Sequence, residues 1–200
     1  MAVSDIIISP ATVYYSPVAE ALPSKDTIAF GQPWGGNWVN VGYTLTPISL
    51  QYDQTLFELM VEQITLPVKR LRTEEKAMIE TQLAEITGLN LTLPLDATIT
   101  TVAASATLRG VETIEAGGKV NVTERQWGFE GLYAVQGTVQ LPIRLFFFKA
   151  TTELNGKLEF SKKAAVGIPI QVKALADTTK AVGKQIMIMQ RVTAKNTVEV

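Results

Sequence analysis

Apolar and polar residues alternate along most of this chain, and this period of two predicts a protein built mainly from β-strands. A turn is predicted at Tyr52-Asp53-Gln54, before an apolar run that begins at Phe57. Further turns are predicted at Gly110, Gly117, Gly118, Gly137, Gly156 and Gly183. The predicted strands occupy residues 38–45, 57–64, 89–95, 120–122, 127–132, 139–149, 158–160, 168–172 and 186–192.

The sequence TEEKAMIETQLAEITG has instead the spacing of an amphipathic helix over about residues 73–87. Thr73 is a typical N-cap, and the two glutamates that follow it suit the positive end of the helix dipole. Gly88 is a typical residue for the position just after a helix. The apolar stripe consists of Ile79, Leu83 and Ile86. We therefore expect one helix that lies across a sheet, whereas residues 97–108 are ambiguous between the two periods.

Prolines fall inside three of the strand-like runs, at Pro67, Pro142 and Pro169. Proline cannot donate a ladder hydrogen bond, so each predicts an edge, a strand start or a bulge. Exposed edges need a partner, which in an oligomer can be the edge of a neighbouring subunit. Because the sequence has no repeat and no linker-like shift in composition, all 200 residues are predicted to form one domain. Its ends are predicted to be a mobile N-terminal arm, about residues 1–36, and a short C-terminal tail, about residues 193–200.

The stretch WGGNWVNVGYT combines two large indoles, Trp34 and Trp38, with two adjacent glycines, Gly35 and Gly36. A core favours the tryptophans but not the glycines, and a loop favours the glycines but seldom two exposed tryptophans. The combination indicates a surface that something else covers.

Composition removes the commonest routes to catalysis. The chain has no histidine and no cysteine, which removes the commonest general base, the commonest metal ligand and any thiolate nucleophile. No stretch matches the spacing of a dinucleotide-binding loop, a phosphate loop, a serine-hydrolase elbow or a calcium loop. The chain is therefore predicted to be no enzyme and to use no cofactor or metal.

Hydropathy and charge give little reason to expect a membrane or nucleic-acid partner. No apolar stretch approaches the roughly 18 residues that a membrane helix needs, and the N-terminus lacks the positive segment of a signal peptide. The formal net charge of −1 gives no general attraction to polyanions. Synthesis in the cytoplasm is the expectation from these features.

The charges are unevenly distributed along the chain. Residues 1–68 carry six acidic side chains and one basic, whereas residues 141–200 carry four acidic and ten basic. An assembly that apposes the two ends would gain electrostatic complementarity. Chance scatter over a solvated surface is the alternative.

The most specific pattern is RLFFFKATTELNGKLEFSKKAAVGIPIQVKALAD, residues 144–177. An aromatic strand is followed by a glycine turn, a strand with lysines, then IPI and ALAD. This order resembles the major tail (tail tube) proteins of long-tailed bacteriophages, and the resemblance covers about residues 34–192. Three more blocks stand in matching order and are similar to an early strand, a long strand with a single helix, and a central hairpin. They are NWVNVGYT, LMVEQITLPVKRLRTEEKAMIETQLAEITGLNL and GGKVNVTERQWGFEGLYA.

The resemblance implies a two-sheet β-sandwich or flattened barrel flanked by one helix. It implies that six copies join their sheets into a ring and that rings stack into the hollow tail tube of the virion, through which phage DNA passes without sequence-specific binding. An extended loop early in the chain and the terminal arms would tie one ring to the next. The implied partners are other copies of the chain and the tape measure, terminator and distal tail proteins, with no membrane.

Subunit contacts are the candidate sites under this resemblance. Another subunit would bury Trp34 and Trp38, and the glycines between them would let a mobile arm take its final path on assembly. An intramolecular tryptophan cluster is the alternative. The interface candidates are Trp34, Gly35, Gly36, Trp38, Tyr52, Asp53, Lys162, Lys163 and Pro169. The alternative functions are another ring protein of the tail (terminator or baseplate), an inner-tube protein of a secretion-type device, and a β-barrel module that binds an apolar small molecule.

Overall fold

A computed structural model of the chain describes residues 11–136, 138–160, 162 and 165–195. The described part is mainly β, with two antiparallel sheets and one short helix, which confirms the predicted β-rich class. The helix, α1, is Gly88–Leu95. The strands are β1 Ala11–Pro17, β2 Val39–Asn40, β3 Ser49–Val61, β4 Ile64–Leu83, β5 Thr98–Val102, β6 Val111–Glu115, β7 Arg125–Gln136, β8 Val139–Leu154, β9 Ile168–Ala174 and β10 Met187–Arg191.

The larger sheet has the strand order β2-β1-β7-β8-β9-β4-β3, and β10 is added to it by pairing with β8. One edge of β8 serves two neighbours, because β10 pairs with residues 143–147 and β9 pairs with residues 150–154. The sheet therefore forks between these two stretches. Strands β5 and β6 pair only with each other among the described strands and form the second sheet.

The larger sheet curls, so that β2 at one end approaches β4 near the other end. Asn40 of β2 pairs with Tyr14 of β1, while Thr44 forms an isolated bridge with Leu83 of β4. In a flat sheet β2 and β4 would lie about 24 Å apart. Asn40 and Thr44 are separated by four peptide units, which span at most about 14 Å. The ends of the sheet are thus drawn together, but one bridge does not close it, and the flattened-barrel form of the prediction is not found.

The main core fills the inner side of this curl. Leu93 of α1 belongs to it, so the helix covers part of the concave face. The Asn90 side-chain amide, itself buried, donates to the carbonyl oxygens of Val41 at 2.9 Å and Glu85 at 3.0 Å, which fastens the short connection to the segment before the helix. The buried members of the core are Val13, Val41, Ala77, Ile79, Leu83, Leu93, Trp127, Phe129, Leu145, Phe147, Ala150, Ile168, Ile170 and Val172.

The helix predicted over residues 73–87 is wrong, because the structure continues β4 through this segment to Leu83. Ile79 and Leu83 are four residues apart, and this even spacing fits one face of a strand as well as one face of a helix. The buried Ala77 and Thr81 complete the period of two. Residues 78–83 pair with β9, and residues 78–80 pair with β3 as well, so sheet pairing overrides the local helix preference.

The strand predicted over residues 89–95 is also wrong, because this segment forms α1. The Thr87 side chain accepts a hydrogen bond from the backbone N–H of Asn90 at 3.1 Å, as an N-cap residue does. Asp96 ends the helix in the left-handed conformation, with φ 47°. Leu89 and Leu95 are exposed, so the alternating leucines do not mark one buried face.

Several shorter predictions also differ from the structure. Of the predicted strand 38–45, only the two-residue β2 and an isolated bridge at Thr44 are found, and the predicted strand 57–64 contains the turn between β3 and β4. Residues 52–54, predicted as a turn, continue through the long strand β3. Residues 120–122 and 158–160, predicted as strands, are irregular. The ambiguous residues 97–108 contain β5 and the start of the connection to β6.

The segment predicted as a mobile N-terminal arm is part of the fold from residue 11 onward. Strand β1 pairs with β7 along its whole length, and its Val13 and Tyr14 are buried. Residues 1–10 lie outside the described residues, as do residues 196–200 of the predicted C-terminal tail.

The three prolines lie at irregular places of the ladder. Pro67 falls where the register between β3 and β4 shifts, and Pro142 pairs with Leu132 at the edge of another shift. Pro169 is the second residue of β9. These positions fit the expected bulges and strand start.

Burial at the end of β4 gives a direct test of this fold. Replacing Leu83, which has no exposed surface, with Asp should destabilise the protein by several kcal/mol, because it places an unpaired charge in the core. Replacing the neighbouring Gln82, which is half-buried, with Asp is the matched control and should change stability by about 1 kcal/mol or less. Denaturant unfolding measures both, and equal stabilities would contradict the assignment of this segment to a core strand.

Candidate functional site

The predicted interface residues fall mainly in two regions with opposite properties. One is a covering segment, residues 18–38, which we call the strap. The other is the exposed part of the β3–β4 hairpin, residues 49–76, which we call the arm. The strap is held by buried contacts within the chain, whereas the arm projects from the body with its side chains exposed.

The strap places both of its tryptophans in an aromatic cluster. Trp34 stacks on Tyr14 with ring centroids 3.9 Å apart and meets Trp38 edge-on at 5.1 Å. Phe146 of β8 lies against both indoles. Trp34 is 4% exposed and Trp38 is 9% exposed. The structure therefore favours the intramolecular alternative, in which the two indoles are covered without another subunit.

Gly128 of β7 provides the space that Trp34 occupies. A Cβ atom at this position would lie 2.7 Å from Cη2 of Trp34 and 3.1 Å from Cζ3 of Trp38, and the first of these distances is shorter than real Cβ contacts. Both indoles thus lie directly on the sheet backbone. The absence of a side chain at Gly128 is what allows this approach.

A buried ion pair lies beside the aromatic cluster. Glu130 of β7 and Arg144 of β8 are cross-strand partners, and their side chains are 0% and 1% exposed. Arg144 Nε donates to Glu130 Oε1 at 2.8 Å. The negative charge of Glu130 also acts on the nearby phenol: burial in the first place, and this carboxylate in the second, raise the pKa of Tyr14 above its usual value.

The remaining hydrogen bonds of this ion pair go to the strap. Arg144 donates from Nη1 to the Ser24 carbonyl at 3.1 Å and from Nη2 to the Ile28 carbonyl at 2.6 Å. The other Glu130 oxygen accepts from the backbone N–H of Gly31 at 3.0 Å. Because both charges are paired and hydrogen-bonded, the large cost of burying them is compensated only while the strap is in place.

Gly35 and Gly36 form the turn between the two tryptophans. Both have positive φ, at 71° and 61°, a region that glycine enters without strain. The Glu20 carboxylate closes this turn by accepting from the backbone N–H of Asn37 at 3.3 Å and from its side-chain amide at 2.7 Å. The glycines thus serve a defined turn within the chain.

The arm is a two-stranded ribbon that carries many apolar side chains. All 13 residues of β3 are exposed, and at this length the ribbon extends about 40 Å. Residues 64–76 of β4 are exposed as well, except for the half-buried Pro67. The exposed large apolar residues of the arm are Leu50, Tyr52, Leu56, Phe57, Leu59, Met60, Val61, Ile64, Leu66, Val68 and Leu71.

Both edges of the arm are open for strand pairing. No strand among the described residues pairs with the outer edge of β3. Strand β4 pairs with β9 only over residues 78–83, so residues 64–77 have a second open edge. Long, open apolar edges are templates for pairing with another chain.

The charged side chains of β3 in the arm are acidic, whereas basic side chains outnumber acidic ones on β4. Strand β3 contributes Asp53 and Glu58, with Glu62 at the tip. The arm part of β4 has four basic side chains and two acidic ones. They are Lys69, Arg70, Arg72, Lys76, Glu74 and Glu75. Within the arm, Arg70 Nε donates to Glu58 at 2.8 Å, and Arg72 pairs with Glu75.

The predicted interface residues outside the strap are dispersed. Tyr52 and Asp53 lie in β3 at the root of the arm, where they pair with Ala77 and Lys76. Lys162 is exposed in an irregular segment, and Pro169 is half-buried in β9. Lys163 lies outside the described residues. The candidates therefore do not converge on one site.

Asp96, beside the end of α1, has a buried carboxylate oxygen and a lowered pKa. Desolvation alone would raise its pKa, but hydrogen bonds from Thr123 and the charges of Lys119 and Arg125 outweigh it and lower the pKa. The Thr123 backbone N–H donates to Asp96 at 3.1 Å, and the two cations lie at 3.6 and 4.0 Å. This cluster fastens the segment before β7 to the helix.

Sequence reasoning missed both the Glu130–Arg144 pair and the extent of the arm. A usable signal was present for the pair, since Arg144 interrupts the apolar run LPIRLFFF and Glu130 follows Phe129 in an aromatic strand. Charges inside apolar strands are rare unless they are paired.

No group of three or more His, Cys, Asp or Glu side chains within the described ranges is placed to hold a metal ion. In the part of the chain that the structure describes, no helix is long and apolar enough to cross a membrane. Comparison with protein-family models and with curated proteins finds no match to this chain.

The packing of Trp34 against Gly128 can be tested by replacing one of two glycines in β7. Gly128→Ala should destabilise the protein by about 1 to 3 kcal/mol, because the new methyl group overlaps the indole. Gly131→Ala, three residues along the same strand, adds a methyl group at an ordinary 3.5 Å from Ile143 and is the matched control. Thermal unfolding compares the two variants, and equal stability would mean that Trp34 of the strap does not pack against Gly128.

Proposed function

We propose that this chain is a structural protein that assembles with copies of itself into six-membered rings stacked as the tail tube of a long-tailed bacteriophage. Its place would be the virion tail, with phage DNA passing through the tube without sequence-specific binding. The tape measure, terminator and distal tail proteins would be its further partners. The single observation that carries the proposal beyond the sequence resemblance is the arm.

The arm supports assembly because it has two different open edges. If the β3 edge of one copy pairs with the β4 edge of the next, the contact is head-to-tail, and such a contact repeats into a closed ring when the rotation between copies closes and into an open filament when it does not. Each added pair of strands satisfies backbone groups that the lone subunit leaves to water. The edge geometry is thus suited to a cyclic oligomer.

The apolar content of the arm supplies a driving force. Fully burying a large apolar side chain contributes about 1.5 to 3 kcal/mol relative to full exposure. Phe57 and Leu71 are paired across the arm, and both are about half exposed, at 53% and 47%. Burial of such side chains between copies would therefore contribute on the order of 1 kcal/mol each.

The charges of the arm favour the same pairing. An edge that contains Asp53 and Glu58 would meet an edge on which basic side chains outnumber acidic ones. Opposite charges on neighbouring strands stabilise pairing and like charges oppose it. This arrangement disfavours pairing of β3 with another β3.

The alternative as a small-molecule-binding barrel has no support in the described strands, because they do not close into a barrel. A different ring protein of the tail would use the same edges. Negative-stain electron microscopy of the concentrated protein separates the two: stacked tubes fit a tail tube, and single rings fit a terminator or baseplate ring. A protein that stays monomeric at high concentration would contradict both.

The arm can be tested with one apolar substitution. Phe57→Glu should leave the subunit folded, since Phe57 lies outside the core, and should abolish or strongly reduce tubes and rings. The physical reason is that burying a carboxylate between copies costs several kcal/mol at every contact. Tube yield by electron microscopy and stability by thermal unfolding are the two measurements.

Val120→Glu is the matched control, because Val120 is a 94% exposed apolar residue in an irregular segment that lines a groove with β1 and with no residue of the arm. It adds the same charge and should leave tube yield unchanged. If both variants assemble like the original chain, the arm is not the assembly element.

Salt dependence measures the electrostatic share of assembly. The Debye length falls from about 8 Å at physiological ionic strength to about 3 Å at about 1 M, so charge pairing between exposed edges weakens. We expect polymerisation, followed by light scattering, to slow with salt while thermal unfolding of the subunit changes little. A flat or rising rate would show that apolar burial dominates the contact.

A further inference from the structure

The turn after β8 contains an asparagine followed by glycine, Asn155-Gly156, the one such dipeptide in the chain. Both residues are exposed, and Gly156 has φ 125°. Glycine has no Cβ, so its backbone nitrogen can approach the side chain of the preceding residue more closely than that of any other residue. This is the local requirement for attack of a backbone amide on an asparagine side chain.

The surroundings of the turn leave the reacting groups accessible. No described residue accepts a hydrogen bond from the backbone N–H of Gly156. The nearest atom to a Cβ at Gly156 would be Cγ of Pro169, at 3.7 Å. The Asn155 backbone N–H donates to the Pro169 carbonyl at 3.0 Å, so the turn is anchored on its β8 side and open on the other.

We propose that Asn155 is a site of spontaneous deamidation. The backbone nitrogen of Gly156 loses its proton to solvent and forms a bond to Cγ of Asn155. The side-chain nitrogen takes up one proton from solvent, the bond from Cγ to this nitrogen breaks, and the nitrogen leaves as ammonia. The resulting cyclic imide adds one water molecule at either carbonyl, which gives aspartate or isoaspartate. Water is the only co-reactant, and no electrons are transferred.

The product changes the charge of a defined surface groove. Asn155 lines this groove together with Glu80, Lys157 and Ser49, the first residue of the arm. Glu80 and Lys157 balance each other before the reaction, and the new carboxylate makes the groove net negative at neutral pH. Isoaspartate also inserts a methylene group into the main chain directly after β8.

Other asparagines in the chain act as internal controls. Asn121 is exposed but is followed by Val122, whose branched side chain hinders the approach of the backbone nitrogen. Asn90 is buried, and its amide donates to two carbonyl oxygens. Neither combines exposure with a following glycine.

Trypsin separates the site from its control. Cleavage after Lys149 and Lys157 gives the peptide ATTELNGK, which contains only Asn155, and cleavage after Lys119 and Arg125 gives VNVTER, which contains only Asn121. The purified full chain is incubated at neutral to mildly alkaline pH and digested at intervals. We expect the first peptide to gain about 1 Da, through exchange of an amide for an acid, at least about tenfold faster than the second.

Two further measurements complete the test. Asn155→Gln should abolish the mass gain in the same peptide, because its longer side chain requires a larger ring. The synthetic peptide ATTELNGK sets the rate without structure, and a rate in the folded chain within about tenfold of it would show that the turn leaves the site open. Equal rates for Asn155 and Asn121, or a folded chain that reacts far more slowly than the free peptide, would overturn the proposal. The proposal does not depend on tube assembly.

Discussion

The Glu130–Arg144 pair is the constraint around which the two faces of the sheet are arranged. It lies on the outer face of β7 and β8, while Trp127, Phe129 and Phe147 of the same strands fill the inner core. A strand pair that is buried on both faces needs cover on both sides. The rest of the curled sheet buries the inner face, and the strap buries the outer face. The ion pair makes the second cover obligatory, because removal of the strap would leave two buried charges without part of their hydrogen bonds.

This arrangement explains why the tryptophan-glycine stretch looks unusual as a sequence. Trp34 and Trp38 pack on the face of the sheet at Gly128, which has no side chain. Gly35 and Gly36 form the turn that brings both indoles to that face. The sequence pattern predicted that another subunit covers these residues, but the structure buries both indoles within the chain. The cover is the chain itself, and the surface that remains open is the arm.

The sequence predicted the β-rich class, the strands β7 to β10 and the irregular positions of the prolines, because alternation and proline chemistry act locally. It failed where a period was ambiguous. Ile79 and Leu83 suit a helix or a strand equally by spacing, and only the pairing of β4 with β9 decides between them. It also failed for Glu130 and Arg144, whose partnership depends on the register between two strands. The open edges of the arm follow from strand order, which no local pattern contains.

The sequence separations of the contacts have a consequence for how the subunit forms. The arm is a local hairpin whose strands are complete by Leu83, so it can pair early during synthesis. The strap is fastened by Arg144 through hydrogen bonds to residues 116 and 120 positions earlier in the chain. Contacts of such separation form late. A growing chain therefore displays its apolar arm before its N-terminal segment is locked, and for that interval it is most vulnerable to aggregation.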